Sequence, residues 1–336
     1  MATIHDVAQR AGVSPITVSR VINRSGYASP ETRARVEAAV TELGYVPNRL
    51  ARSLRSKRTH TLALVITDIT NPFFTTVARG VEDTASDAGY TVIFCNTDES
   101  ESEEKKYLQV LLQQQVDGIL LVPARGTLDS IDMIRKQNTP VVVLDRRLPP
   151  GAEVDTVRCE NELGAYQLVR LLIELGHRDI ALLSGPLGVS TAEDRLAGYR
   201  RAMREAGIDA AAQAIIYGSF TQASGSEMMR QLLARPRRPT AVFAANNLIG
   251  IGALQAIQQA GLRVPDDIAI VSFDDLPPTL LTMPFFTVSA QPAYDMGKRA
   301  TQLLLARLSK TATEPCQEIV LPTELIVRQS SGRPRV

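Results

Sequence analysis

Over the first 45 positions the apolar residues recur at helical spacing. Ile4, Val7, Ala8 and Ala11 follow one another at i, i+3, i+4 and i+7. Thr3 with Asp6 three residues on has the form of a capping box, and Gly12 ends the helix. Ser14-Pro15 then starts a second helix, where proline's missing N–H costs nothing, with Val18, Val21 and Ile22 as a narrow stripe. Ser29-Pro30-Glu31 starts a third, with Val36, Ala39, Val40 and Leu43, stopped at Gly44. Three short helices, the first two joined by a tight glycine turn, predict a helix-turn-helix unit over residues 1–46, its motif at about 4–23.

From Thr61 the period changes. TLALVIT, TVIFC, GILLV and PVVVLD are short apolar runs, separated by helical patterns beginning near Phe73, Glu101 and Leu128. After TVRCENELG the cycle resumes with DIALLS, AIIYG, TAVFAA and DIAIVSF, and TVSAQP, DMGKRATQLLLARL and QEIVLP complete it. Strands apolar on both faces and alternating with helices predict two lobes with doubly wound parallel sheets and a ligand cleft at the strand ends.

Charge distinguishes the two parts. The net charge is only +1, yet residues 1–60 hold ten Lys/Arg against four Asp/Glu, and the remainder 27 against 32. A basic head on a mildly acidic body points to a polyanion as the head's partner. Cys95, Cys159 and Cys316 form no Cys-x-x-Cys pair, which favours buried free thiols in a reducing compartment. The start MATIHDVAQR lacks an apolar signal segment and there is no run of 18 apolar residues, so a cytoplasmic protein is expected.

The second helix leaves Pro15, Ile16, Thr17, Ser19, Arg20 and Asn23 off its apolar stripe. Arg20 suits guanine O6 and N7, Ile16 a thymine methyl, and Thr17 and Asn23 phosphates or base edges. VPNRLARSLRSKRTHT follows, with Arg49, Arg52, Arg55, Lys57 and Arg58 and with Leu50, Ala51 and Leu54 at helical spacing. Such a short segment is marginal as an isolated helix and can order on DNA. Together, MATIHDVAQRAGVSPITVSRVIN and LGYVPNRLARSLRS resemble the head and hinge helix of LacI-family transcription regulators. The resemblance implies a hinge at 47–60, with Thr3, Arg52 and Arg55 on DNA and Leu54 wedged into the centre of a pseudo-palindromic operator. Pro15 and Ile16 depart from the family: they offer no side-chain hydrogen bond where its operator choice is made, so readout there is apolar or shape-based.

The body resembles periplasmic sugar-binding proteins, whose fold that family shares. Asn71, Phe73 and Phe74 in ITNPFF, Asp145 and Arg146 after VVVL, Arg195, Phe220, Asn246, Asp274 and Gln291 stand at ribose-binding-type positions. Their chemistry suits a small polyol: carboxylates accept from hydroxyls, guanidinium groups donate, amides do both, and phenylalanine rings face the C–H side of a sugar. Two departures stand out. Asn246-Asn247 lacks the acid that the family often has second, and Val189 replaces the arginine of purine-responsive relatives.

The resemblance divides the body into a first lobe at 61–159 plus about 290–320, a second at 160–289 and a tail at 321–336. GIGALQ lacks the third glycine of a dinucleotide motif and is read as glycines for close helix packing. His5, His60 and His177 are isolated, and no nucleophile elbow or phosphate loop occurs. Neither enzyme activity nor a cofactor or metal is expected. The expected function is a homodimeric repressor released from its operator by a small sugar, ribose or a related one. The alternatives are a catabolite-control-type regulator driven by a protein partner and a stand-alone sugar-binding module.

Overall fold

The computed structural model describes residues 2–23, 25–46, 58–277, 285–309, 311 and 315–332. The chain divides into two compact units, Met1–Thr59 and His60–Val336. The expected hinge contacts Arg52, Leu54 and Arg55 lie outside the described residues.

In the first unit α1 (Ile4–Ala11), α2 (Pro15–Ile22) and α3 (Pro30–Glu42) each begin at a side-chain cap. Thr3 and Asp6 form the reciprocal capping box, with Thr3 N–H donating to Asp6 Oδ2 at 2.7 Å. Ser14 accepts from Thr17 N–H and Ser29 from Thr32 N–H, both at 3.2 Å. Gly12 takes φ +65, and this left-handed residue brings α2 directly onto α1. Val7, Ala8, Ala11, Val18, Val21, Val36 and Ala39 make the core. Val18 and Val21 are the buried anchors of α2, each contributing on the order of 1.5–3 kcal/mol.

In the second unit β1 (Thr61–Ile66), β2 (Thr91–Asn96), β3 (Gly118–Leu121), β4 (Val141–Leu144) and β5 (Asp155–Cys159) alternate with α4 (Pro72–Asp87), α5 (Glu101–Gln113) and α6 (Asp129–Lys136). Then α7 (Asn161–Glu174), β6 (Ile180–Ser184), α8 (Ser190–Glu205), β7 (Ile215–Tyr217), α9 (Gln222–Leu233), β8 (Ala241–Ala244), α10 (Asn247–Gln259), β9 (Ala269–Phe273) and β10 (Thr287–Ala290) build the second lobe. Helix α11 (Ala293–Leu308) packs beside α4, and β11 (Glu318–Leu321) pairs with β5 in the first lobe. Among the described residues two six-stranded sheets result, ordered β11-β5-β4-β3-β1-β2 and, with β12 (Glu324–Ile326), β12-β10-β9-β8-β6-β7. Within these sheets every pairing is parallel except β12 with β10.

That last strand corrects the expected tail. Ile326 pairs with Val288 and Glu324 with Ala290, and a 3-10 turn follows at Gln329–Ser331. There Ser330 Oγ donates to Ile270 O at 2.6 Å while accepting from Thr287 N–H at 2.8 Å. The chain after Leu321 is therefore an edge of the second sheet. Pro322 and an element of three residues hid this in the sequence.

GIGALQ lies inside α10, where a Cβ on Gly252 would meet Gln222 O at 2.0 Å, so the glycine permits the close α9–α10 crossing. His177 is buried with Nδ1 2.9 Å from Thr240 Oγ1, a packing role at the turn before β6. Cys95 and Cys159 are buried, but Cys316 is exposed in the connection entering β11, contrary to the expectation of three buried thiols. No described helix is long and apolar enough to cross a membrane.

Candidate functional site

In the head, α2 presents Ile16, 65% exposed, and an exposed Arg20. The rest of the expected face is more committed. Thr17 Oγ1 shares a 2.9 Å hydrogen bond with Ser14 Oγ, and Thr3 is held in its capping box. Asn23 is the C-cap of α2 rather than a member of its exposed face. Its Nδ2 donates to Ser19 O at 2.8 Å and to Ser19 Oγ at 3.2 Å, occupying the half-buried Ser19 as well. Pro15 is half-buried at the first helical position.

In the body, the loops after the strands surround a cavity of about 500 Å³. Asn71, Phe73, Phe74, Asp145, Arg146, Arg195, Phe220, Asn246, Asp274 and Gln291 all line it. These side chains come from both lobes, and nothing in their spacing places them together. Only closure of two sheets side by side does.

Asp145 and Asp274 occupy corresponding places, each the first residue after the fourth strand of its lobe's run. Both take left-handed backbone, φ +64 and +66. Their N–H groups donate across to the next strand, to Val157 O at 2.9 Å and Ser289 O at 3.0 Å. The left-handed turn is sparsely populated outside glycine, and aspartate tolerates it better than most residues. It turns each carboxylate over its strand end.

Around them the charges are woven together. Arg146 Nη1 donates to Thr191 Oγ1 at 2.9 Å and Nη2 to Glu99 Oε1 at 2.7 Å, while Nε lies 3.3 Å from Asp145 Oδ2. Arg195 donates to Asn161 Oδ1 at 2.9 Å and Ala245 O at 2.6 Å, approaches Asp274 Oδ2 at 3.8 Å and stacks 3.8 Å over Phe273. Gln291 Nε2 donates to Asp274 Oδ1 at 2.5 Å. Burial pushes the Asp274 carboxyl above the ordinary carboxylate range, against the pull of Arg195. Among the described residues, Asp145 Oδ1 and Gln291 Oε1 are buried without a hydrogen-bond partner. A buried acceptor left unpaired costs about 1–3 kcal/mol, which a ligand hydroxyl would relieve.

The amides do double duty. Asn71 Oδ1 caps α4 through Phe73 N–H at 3.0 Å, and Asn246 Oδ1 caps α10 through Ile249 N–H at 2.8 Å. Phe73 and Phe74 meet edge to face, 5.0 Å between centroids, and Arg146 lies 5.9 Å from the centre of the Phe220 ring.

Several lining residues escaped the sequence reading, including Thr67, Asp68, Glu99, Arg125 and Thr191. A signal for Glu99 existed: it lies in the short polar connection between β2 and α5, at the same end of the sheet as Asp145. Asp98 and Glu99 also take positive φ, 50 and 57. Thr191 and Arg125 carried no comparable local signal. Val189 is buried just before α8 and does not line the cavity.

Comparison with known proteins agrees with this arrangement. Residues 3–48 match bacterial regulatory proteins of the lacI family, and residues 169–331 match a periplasmic binding protein-like domain. The chain is 38% identical over 332 residues to the ribose operon repressor of Escherichia coli (strain K12), covering 99% of this chain and 100% of that protein. The chain belongs to the lacI family. Another family member, the HTH-type transcriptional repressor PurR of Photobacterium profundum, is also 38% identical, covering 98% of both chains. The Lac repressor dimer bound to operator and the anti-inducer ONPF matches with TM-score 0.86 at 30% identity, over 98% of this chain and 99% of that one.

Proposed function

We propose that this chain is a homodimeric transcriptional repressor of the cytoplasm that leaves a pseudo-palindromic operator when a small neutral sugar, ribose or a close relative, enters the cavity. The DNA-binding half of the reading rests on the lacI-family head and on full-length similarity to named repressors. Its contacts are Ile16 and Arg20 in the major groove, with Pro15, Thr17, Ser19, Asn23 and Thr3 near the backbone. Arg52, Leu54 and Arg55 form the hinge contacts. Since one head reads one half-site, a two-fold dimer follows. Catalysis forms no part of this reading, and neither does a cofactor.

The observation that carries the effector half is the gathering of ten polyol-suited side chains from two lobes into one cavity. The charges choose among ligands. Asp68, Asp98, Glu99, Asp145 and Asp274 outnumber Arg125, Arg146 and Arg195 on the lining, which disfavours a sugar acid or a sugar phosphate. Ligand binding shifts the operator equilibrium only through different affinity for the two states, typically about 1–3 kcal/mol of coupling.

The test is calorimetric titration of the full chain with ribose, other pentoses, hexoses, a sugar acid and a purine, followed by operator binding with any ligand found. Binding of one neutral sugar that weakens operator affinity supports the proposal. Tighter operator binding with sugar would make it a co-repressor, and silence across the panel would sink the sugar reading.

A further inference from the structure

The segment after β4 reads Asp145-Arg146-Arg147, and only the first two residues line the cavity. The first turns of α8 end in Asp194-Arg195, and of these only Arg195 lines it. The two residues left outside meet each other. Arg147 Nη2 lies 2.9 Å and Nε 3.2 Å from Asp194 Oδ1, and Glu193 adds a second carboxylate at 3.5 Å. Beside them Arg147 N–H donates to Ser190 Oγ at 2.9 Å. Arg147 belongs to the first lobe and Asp194 to the second.

We infer that the Arg147–Asp194 pair is a positioning clamp. It holds the cavity-lining segments of the two lobes together, so residues that never touch the effector help to set its affinity. The inference rests on the cavity being the effector site. An effector bound between two lobes is held only while both sets of donors are within reach, so its apparent affinity scales with the fraction of molecules that are closed. Tying Asp145-Arg146 to Arg195 through their neighbours raises that fraction without adding a ligand contact. The side chains are 43% and 18% exposed, so water screens the pair only in part.

The test uses the full chain with the exposed Cys316 replaced, Cys316→Ser, and spin labels at Lys105→Cys in the first lobe and Gln231→Cys in the second. With no sugar added, Arg147→Ala and Asp194→Asn are expected to shift the label-to-label distances towards longer values, with melting temperature unchanged within a few degrees. Ribose affinity should fall roughly three- to tenfold in each. The double variant should be no weaker than the weaker single one, since the pair acts as a unit. Arg147→Lys, which keeps a cation there, should recover most of the affinity. An Arg147→Ala distance distribution identical to that of the parent overturns the clamp, as do strictly additive losses in the double variant. If the parent takes up no ribose, the effector reading is at fault, while the distances still decide the clamp.

Discussion

Asn247 Nδ2 donates to Asn71 Oδ1 at 3.1 Å, so an amide at the start of α10 in the second lobe is bonded to the cap of α4 in the first. The cap fixes the polarity of this contact. Asn71 Oδ1 already accepts from Phe73 N–H, so its partner must be a donor, and Asn247 Oδ1 is occupied by Leu248 N–H at 2.7 Å. An amide fits at 247 where the acid common in this family would place an acceptor against an acceptor.

Asn247→Asp is therefore expected to weaken the inter-lobe contact by about 1–3 kcal/mol at neutral pH, the cost of an unpaired buried polar group. Because a protonated carboxyl can again donate to Asn71, the loss should shrink on acidification. Thermal unfolding of parent and variant at pH 7 and pH 5 checks this; a loss that grows at pH 5 counts against it.

Asp274→Ala should leave operator binding in place and abolish the response to sugar, since charge-assisted hydrogen bonds contribute roughly 1.5–3 kcal/mol each. Gel-shift titrations with and without sugar provide the check. A collapse of operator binding itself would make Asp274 structural.

Burial raises the Asp274 pKa above its ordinary value of 3.8, and the sign of the pH effect follows. An acid that holds its proton more tightly when folded opposes folding once ionised. Its contribution thus favours the folded state at low pH and is lost as pH rises through the raised value. Sugar binding runs the other way, because the ionised carboxylate is the better acceptor. Calorimetry from pH 8 downwards should show affinity failing at a higher pH than an ordinary carboxylate would give, and Asp274→Asn should flatten that dependence.

Arg20→Ala should reduce operator affinity by about 1–3 kcal/mol and relax preference at one base pair. Binding measured against operators altered one position at a time decides it. Equal losses on every sequence would assign Arg20 to a phosphate.

Ser14→Ala removes the side-chain N-cap of α2 and should destabilise the head by about 1 kcal/mol. Amide hydrogen exchange of the α2 backbone in the full chain, compared between parent and variant, checks this.

Much of this molecule was legible along the chain because the responsible physics is local. Thr3, Ser14, Ser29, Asn71 and Asn246 cap helices through N–H groups two or three residues away. Apolar runs such as VVVL and AIVSF are buried throughout, as strands covered on both faces must be. Most of the ten cavity residues sit at a strand end or a helix start, with Arg195 one turn into α8 and Phe220 in the loop before α9.

Tertiary structure alone decided what those residues meet. Arg146 reaches Thr191 over 45 positions and Asn247 reaches Asn71 over 176, and no period in the sequence encodes such distances. The strand Glu324–Ile326 exists because β10 offers it an unpaired edge, not because three residues have strand propensity. Asn23 suits a phosphate or a base edge by residue type, and only the folded helix shows its amide donating to Ser19 O. Caps and periodicity are fixed within one turn or one strand. The ion pairs between lobes depend on where the two sheets come to rest against each other.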